Sequence, residues 1–188
     1  MMLRKLAFSV GIFGIILFCF SSIKHLLLGS SAWDLGIFEQ FTWLIAYKNI
    51  NSVSSLRGIS PLQDHFSLLL IPISYAYKVF PSTLTLLFIQ SFALGCTPAI
   101  AGYYIYKRQE WNKLAICLLI SIFLTPIIFL ANIANFHPEV VAIPFMLIAI
   151  YESKDRKSFI FYLALLISLS AKKSQVLFGI GVSIYSLL

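Results

Sequence analysis

Residues 66–80, FSLLLIPISYAYKVF, decide how this chain is placed relative to a membrane. As a helix these fifteen residues span about 22 Å, whereas the hydrocarbon core of a bilayer is about 30 Å thick. The segment also carries Pro72, Tyr75, Tyr77 and Lys78, which suit a membrane surface better than its interior. We therefore predict a juxtamembrane helix that lies along the interface.

The composition around this segment is that of an integral membrane protein. Of 188 residues, 60% are apolar and 11% are charged, against roughly half and a quarter in soluble domains. Although the net charge is +7, the basic residues lie at the ends of apolar runs, which excludes a nucleic-acid patch. The three cysteines form no CxxC pair, so neither a zinc site nor a disulfide is indicated. We expect one all-α membrane domain, residues 1–188, with the lipid bilayer as partner.

Apolar runs elsewhere in the chain predict about six transmembrane helices. The first follows Arg4 and Lys5 and is a retained signal anchor, since no small-x-small cleavage site follows it. Pro98, Pro126 and Pro144 lie within three of the runs and predict kinks. The predicted spans are residues 6–28, 84–106, 114–134, 140–151, 159–171 and 176–188.

The distribution of Lys and Arg supports a surface position for residues 66–80. If the segment does not cross and the N-terminus is cytoplasmic, eight Lys and Arg lie inside and six outside. If it crosses, five lie inside and nine outside, which contradicts the positive-inside bias. The chain is therefore predicted to be a multi-pass cell-membrane protein in which residues 29–82 form an external loop. Within that loop, residues 33–47 have helical spacing after Ser31, a capping residue.

This topology gathers acids and histidines on the external face. Ionisable groups held near a membrane are costly and often functional. A carboxylate can deprotonate a hydroxyl, and lysines at a helix end can bind an anionic head group. The candidate catalytic residues are Asp34, Glu39, Asp64 and His65, and the candidate substrate-binding residues are His137, Glu139, Lys172 and Lys173.

Each candidate also has a structural interpretation. Asp34 could cap the helix of residues 33–47, and Glu39 could face water. The Asp64-His65 pair could cap a helix starting at residue 66, and His137 could mark a helix boundary. The two lysines could anchor their helix at the interface.

Three motifs in order resemble those of a known family. They are Trp33-Asp34-Leu35-Gly36-Ile37-Phe38-Glu39-Gln40 with Trp43, Asp64-His65-Phe66-Ser67, and Asn135-Phe136-His137-Pro138-Glu139. The stretch from Phe80-Pro81-Ser82 through Gln90 resembles the family as well. The chain is similar over residues 30–185 to the predicted membrane proteins of domain of unknown function 2079.

The resemblance implies a fold and an activity. Such proteins resemble the C-type (GT-C) glycosyltransferases, whose first external loop carries an acidic site residue. It implies transfer of a sugar from a polyprenyl-phosphate donor on the outer face, with Asp34 as the acid. The partners of Asp34 would be Asp64, His65, His137 and Glu139. A divalent cation such as Mg²⁺ or Mn²⁺ could hold the phosphate, and the metal requirement stays open.

Two departures from the family set the alternatives. The family has a Lys followed by two acids near residue 172, whereas this chain has Lys172-Lys173-Ser174-Gln175. Family members are also about twice as long, and this chain ends inside an apolar run, so we expect a truncated member that could be inactive. The alternative function is non-enzymatic, as a transporter or as a subunit with a membrane protein partner. A transporter would place its ionisable groups at the midplane, not at segment ends.

Overall fold

The computed structural model of the chain describes residues 2–109, 113–155 and 158–187. Within these ranges the regular structure is helical throughout, which confirms the predicted all-α class. A π-helical turn at Ala32–Gly36 precedes α2, and a 3-10 turn at Lys173–Gln175 precedes α11. The α-helices are α1 Met2–Leu26, α2 Ile37–Tyr47, α3 Pro61–Asp64, α4 Leu70–Val79, α5 Thr83–Gln109, α6 Lys113–Phe123, α7 Pro126–Ile133, α8 Pro138–Val141, α9 Ile143–Glu152, α10 Phe159–Leu169 and α11 Val176–Leu187.

Three stretches are long and apolar enough to cross a bilayer. They are Phe8–Leu26, Thr83–Lys107 and Ile116–Ile133, which match the first three predicted spans. The apolar helices Ile143–Glu152 and Phe159–Leu169 are shorter than such a span. The chain is thus a helical membrane protein, and the bilayer contacts its apolar helices.

α1 and α5 are antiparallel and pack with their backbones in close contact. A Cβ atom on Gly95 would lie 3.1 Å from the Cα atom of Gly14, so only a residue without a side chain fits there. Farther along the same pair, the Phe18 and Phe88 rings meet edge to face at 5.4 Å. Small residues allow this kind of approach between membrane helices. One turn earlier in α1, by contrast, a Cβ atom on Gly11 would meet open space.

Three turns of the chain meet at the end of the bundle where α1 finishes and α5 begins. α7 runs parallel to α1, since the Asn132 amide donates to the Leu17 carbonyl at 2.6 Å and the Lys24 ammonium donates to the Ile133 carbonyl. At the opposite end of α5, the Tyr104 hydroxyl donates to Glu152 at 2.6 Å. Residues 29–82, 134–139 and 170–175 therefore share one end. Three residues placed on the inner face by the sequence, Glu110, Arg156 and Lys157, lie outside the described residues.

The long loop packs against this end through α2 and α4. Their apolar faces share one core with Leu86 of α5 and Phe136, which are both fully buried. α4 has ten residues, or about 15 Å, too short to cross the bilayer. It begins at Leu70 rather than at residue 66, because Phe66 has a φ of 50°, outside the helical region. The predicted helix at residues 33–47 is confirmed, and the Ser31 hydroxyl accepts from the Trp33 amide at 3.1 Å.

Two of the three prolines lie at the starts of helices, whereas the sequence predicted a kink at each of the three. Pro98 lies inside α5, as predicted. Pro126 and Pro144 instead stand in the first turn of α7 and of α9, where the predicted spans of residues 114–134 and 140–151 are interrupted. A proline is tolerated at the start of a helix, where its missing N–H would have no intrahelical acceptor.

Candidate functional site

The Phe38 ring lies at the centre of the candidate site. The imidazole of His65 stacks on this ring at 5.3 Å between centroids, with 28° between the planes. The imidazole of His137 meets it edge to face at 5.9 Å and 70°. Two histidines that are 72 positions apart in the chain (137 − 65) are therefore held against one buried side chain of α2.

Asp64 is the most buried carboxylate of the cluster, with 7% of its side chain exposed. The Arg57 guanidinium donates from Nε to Oδ2 at 2.8 Å and from Nη2 to Oδ1 at 3.2 Å, a bidentate pair. These hydrogen bonds are the main cause of the pKa of Asp64 lying below its ordinary value, although burial opposes them. Asp64 is therefore ionised at neutral pH.

The pKa of His65 depends on burial and on the charges of four neighbouring side chains. Burial lowers the pKa of His65 below its ordinary value, and the positive charges of Lys172 and Arg57 act in the same direction. The negative charges of Asp64 and Glu139 oppose them. His65 is consequently neutral at pH 7 and able to donate from one ring nitrogen and accept at the other.

Glu139 and His137 form the other half of the cluster. The Lys172 ammonium donates to Glu139 Oε1 at 2.7 Å, and His137 Nδ1 lies 3.9 Å from the same oxygen. His137 Nδ1 and Glu139 Oε2 are inaccessible to solvent and have no hydrogen-bond partner within the described part of the chain. Both halves of the cluster thus contain a carboxylate, an imidazole and a cation.

The turn after α10 fastens the two halves together. The Lys173 ammonium donates to the Asp64 carbonyl at 2.9 Å, and the Lys173 amide donates to the His65 carbonyl at 3.2 Å. The Ser67 hydroxyl donates to the Ala171 carbonyl at 2.6 Å. Because these bonds are made to backbone atoms, the turn fixes the chain path through Asp64-His65 whatever the state of the side chains.

A buried glutamine in the span α5 positions His137. The Gln90 side chain is fully buried, and its Oε1 accepts from the His137 amide at 2.8 Å. Its Nε2 donates to the Asn135 carbonyl at 2.9 Å. Asn135 has a φ of 96°, a strained conformation for a residue other than glycine, and its Oδ1 accepts from the Ser31 amide at 3.1 Å. Gln90 thereby holds the backbone that presents His137 and Glu139.

A second glutamine shapes the loop that carries Arg57. Gln40 Oε1 accepts from the Ser54 hydroxyl and, at 3.3 Å, from the Leu56 amide. Gln40 Nε2 donates to the Ser55 hydroxyl at 2.6 Å. These contacts order part of the polar loop between α2 and α3, and they bring Arg57 over Asp64.

Glu39 lies outside the cluster, on another face of α2. Its Oε2 accepts from the Thr83 hydroxyl at 2.7 Å, and its Oε1 accepts from the Tyr77 hydroxyl at 3.1 Å. Burial raises the pKa of Tyr77, and the Glu39 carboxylate raises it further. The half-buried Glu39 therefore joins α2, α4 and α5, instead of simply facing water as the structural interpretation had it.

Asp34 also stands apart from the cluster. It lies half-buried in the π-helical turn, and its carboxylate makes no hydrogen bond or ion pair with the residues that the structure describes. Ser31 and not Asp34 caps this turn. The capping interpretation of Asp34 is therefore wrong, and the carboxylate is left available to another group.

The structure thus brings together six of the eight candidates. They are Asp64, His65, His137, Glu139, Lys172 and Lys173. The prediction that Asp64-His65 caps a helix starting at residue 66 is wrong, because Asp64 ends α3 and binds Arg57. His137 does precede a helix, α8, as the boundary interpretation had it.

Sequence reasoning missed three contributors, Phe38, Arg57 and Gln90. Phe38 and Gln90 stand inside the motif stretches, and a polar residue in an apolar span such as Gln90 is itself a sign of a buried role. Arg57 lies in a polar loop and carries no such sign.

The side chains of the cluster are better suited to bind an anion than to hold a metal ion without further ligands. Among the described residues, no group of three or more His, Cys, Asp and Glu side chains is placed to hold a metal ion. Three cations, Arg57, Lys172 and Lys173, border the cluster instead. A neutral imidazole, carboxylates and lysines together can bind a phosphate and hydroxyl groups.

The comparisons with known proteins identify a family. No curated protein and no solved structure matches the chain. The model of a family described as "Predicted membrane protein (DUF2079)" matches residues 24–188, which is most of the chain and includes every residue of the cluster. The chain therefore belongs to this family of membrane proteins.

Proposed function

We propose that this protein transfers a sugar from a polyprenyl-phosphate donor to a hydroxyl group of an acceptor. The observation that carries the proposal is the half-buried cluster of His65, His137, Glu139 and Lys172 at one end of the membrane helices. The head group of a membrane lipid lies at this level, where lysines attract its phosphate. The resemblance of the three motifs to C-type glycosyltransferases supports the same reaction class.

The lysines bind the donor phosphate in this proposal. Lys172 has 24% of its side chain exposed, and Lys173 is exposed at the same turn. Arg57, 35% exposed, borders the other side of the cluster. A phosphate held among these cations leaves more readily, because their charges stabilise the negative charge that develops on it.

The reaction balances without an oxidant or a further substrate. The acceptor oxygen attacks the anomeric carbon and forms the new glycosidic bond. The bond from that carbon to the phosphate oxygen breaks, and polyprenyl phosphate leaves with the electron pair. The hydroxyl proton passes to a carboxylate, and the resemblance gives this role to Asp34, whose carboxylate is unpaired among the described residues.

A divalent cation is not given a step in this proposal. The cluster offers fewer carboxylate and imidazole ligands in reach of one point than a protein metal site needs. The lysines supply positive charge at the phosphate instead. We also propose that the cluster faces the cell exterior and the N-terminus the cytoplasm, which the count of eight inner and six outer Lys and Arg supports.

The test uses the full chain in vesicles that contain radiolabelled polyprenyl-phosphate sugars, with glycerol supplied as the hydroxyl acceptor. We expect release of polyprenyl phosphate above that of empty vesicles, and a loss of about 10²- to 10⁴-fold in Asp34→Asn, as for removal of a general base. Lys172→Ala should weaken donor binding, whereas the matched exposed lysine variant Lys48→Ala should not. An unchanged rate in Asp34→Asn would contradict the role of Asp34, and no release from any donor would contradict the function.

The pairing inside the cluster favours one alternative function. Arg57 neutralises Asp64 and Lys172 neutralises Glu139, as in a polar contact that fastens a loop to a helix bundle. That arrangement fits a non-enzymatic subunit of a membrane complex. In that case Lys172→Ala would alter the stability of the protein and the recovery of a membrane protein partner, with no effect on any lipid-phosphate donor.

A further inference from the structure

Two polar atoms in the cluster are left without partners. His137 Nδ1 and Glu139 Oε2 are inaccessible to solvent and make no hydrogen bond with the described residues. Buried polar atoms in folded proteins are nearly always paired, and exceptions point to a missing group or to a function. Here His137 Nδ1 lies 3.9 Å from Oε1 of the same Glu139 carboxylate, so one small group can contact both side chains.

Building on the proposed function, we propose that His137 Nδ1 and Glu139 Oε2 bind a hydroxyl group of the acceptor. We further propose that Lys172 closes this subsite until the donor phosphate draws its ammonium away. The acceptor is thus a polyol or a sugar, and the donor binds before it.

A hydroxyl group matches both unpaired atoms. A carboxylate oxygen only accepts, so Glu139 Oε2 requires a donor. His137 Nδ1 donates when it carries a proton and accepts when it does not. A hydroxyl donates its proton to Glu139 Oε2 and accepts from Nδ1–H with a lone pair. The hydroxyl keeps its proton here, so the subsite binds and orients the acceptor.

The subsite is held rigidly on the His137 side. The His137 ring rests on Phe38, and its backbone amide is fixed by the fully buried Gln90. Glu139 follows in the short helix α8. An acceptor hydroxyl placed between these groups therefore meets atoms that are already in position, which reduces the entropic cost of binding.

Lys172 is suited to act as the cover. Its ammonium lies 2.7 Å from Glu139 Oε1, the oxygen beside the unpaired Oε2, so it stands next to the atom that the acceptor hydroxyl would bind. The next residue, Lys173, is fixed by bonds to backbone carbonyls of Asp64 and His65, so the turn stays in place when the Lys172 side chain moves. The donor phosphate is a diester with one negative charge, as the carboxylate has, and its oxygens accept charge-assisted hydrogen bonds, so it competes with Glu139 for the ammonium.

The experiment follows the imidazole signals of the full chain in nanodiscs by NMR, with histidines isotopically labelled. The His137 signals are assigned from their loss in His137→Gln. Farnesyl phosphate serves as the phosphate probe and glycerol as the hydroxyl probe. The variants are Lys172→Ala, which removes the cover, and its matched control Lys48→Ala, which removes an exposed lysine outside the cluster.

In the native chain we expect glycerol to shift the His137 signals only when farnesyl phosphate is present. In Lys172→Ala, glycerol alone should shift them, whereas in Lys48→Ala, as in the native chain, glycerol should shift them only when farnesyl phosphate is present. Adding Glu139→Ala to Lys172→Ala removes the acceptor oxygen and should abolish the response.

Each other outcome has a distinct meaning. If glycerol never shifts His137, even in Lys172→Ala, the hydroxyl subsite is wrong. If it shifts His137 in the native chain without phosphate, the covering role of Lys172 is wrong. If farnesyl phosphate changes none of the histidine signals in the native chain, the proposed donor chemistry fails, while Lys172→Ala with glycerol still tests the subsite.

Discussion

The guanidinium of Arg57 grips the carboxylate of Asp64 with two hydrogen bonds, of 2.8 and 3.2 Å. Arg57 belongs to the polar loop before α3, and Asp64 closes α3. This ion pair therefore fastens the loop to the cluster, and it depends on the ionised carboxylate of Asp64. Gln40 holds the same loop from the other side through Ser54 and Ser55.

Acid should release this loop. Since the pKa of Asp64 is lowered in the folded protein, the unfolded chain binds more protons below about pH 3.9, and stability falls as pH falls through the lowered pKa. A nitroxide attached at Leu56→Cys, in a cysteine-free background, should become more mobile in that range. Arg57→Ala should show the mobile spectrum already at pH 7. If the spectrum of Arg57→Ala is identical to that of the native chain, the ion pair between Arg57 and Asp64 does not hold the loop in place.

The pKa of His65 should respond in opposite directions to two neighbours. Lys172→Ala should raise it, and Asp64→Asn should lower it further, because the first removes a positive and the second a negative charge. NMR titration of the imidazole checks both shifts. Because the folded pKa lies below about 6.5, stability should decline as pH falls below that value, and less so in His65→Gln. Equal titration curves of the His65 imidazole in the native chain, Lys172→Ala and Asp64→Asn would mean that these charges do not act on His65.

Gly95→Ala should destabilise the packing of α1 on α5. The new methyl group would lie 3.1 Å from the backbone of Gly14, and overpacking of this kind costs about 1–3 kcal/mol. Gly11→Ala is the matched control, since its Cβ atom meets open space, and should change stability by less than about 0.5 kcal/mol. Reversible unfolding in mixed micelles measures both. A similar cost in the two variants would argue against the close contact.

Glu39→Ala should destabilise the junction of α2, α4 and α5 by about 1–2 kcal/mol, because it leaves the buried Tyr77 hydroxyl without its acceptor. Glu39→Gln keeps an acceptor oxygen and should retain most of the stability. Unfolding free energies of the two variants and of Tyr77→Phe supply the comparison. A catalytic role for Glu39 would appear differently, as loss of sugar transfer in Glu39→Gln with stability preserved.

The orientation of the chain can be tested by labelling introduced cysteines in intact cells. A cysteine at Tyr75 should react with an impermeant reagent added outside, and one at Lys154 should react only after permeabilisation. Both residues have exposed side chains, so access depends on the side of the membrane. External labelling of Lys154→Cys would overturn the cytoplasmic N-terminus.

Local patterns in the sequence predicted much of the fold. The Ser31 cap, the helix after it and the span that became α5 depend on residues close together in the chain. The count of basic residues also predicted which candidates share one end, because each crossing reverses the side. The start of α4 was not predictable, since the left-handed conformation of Phe66 depends on tertiary contacts.

The side-chain contacts within the cluster could not be predicted from the sequence. Arg57 reaches Asp64 only because Gln40 orders the loop around it, and the partners of Gln90 lie more than 40 positions away along the chain. Long-range pairs of this kind leave no periodic pattern. Asp34 and Glu39 were grouped with the cluster because they share its end of the bundle, and shared position does not determine which side chains touch.

The glutamine in α5 also links the cluster to the physical state of the bilayer. Gln90 sits inside a membrane span and is bonded to the His137 amide, so a change in the tilt of α5 is transmitted to that residue. A span tilts more in a thinner membrane and less in a thicker one. We therefore expect the spacing of the groups around His137 to change with hydrophobic mismatch, so that lipid chain length acts on this protein from within the hydrocarbon core.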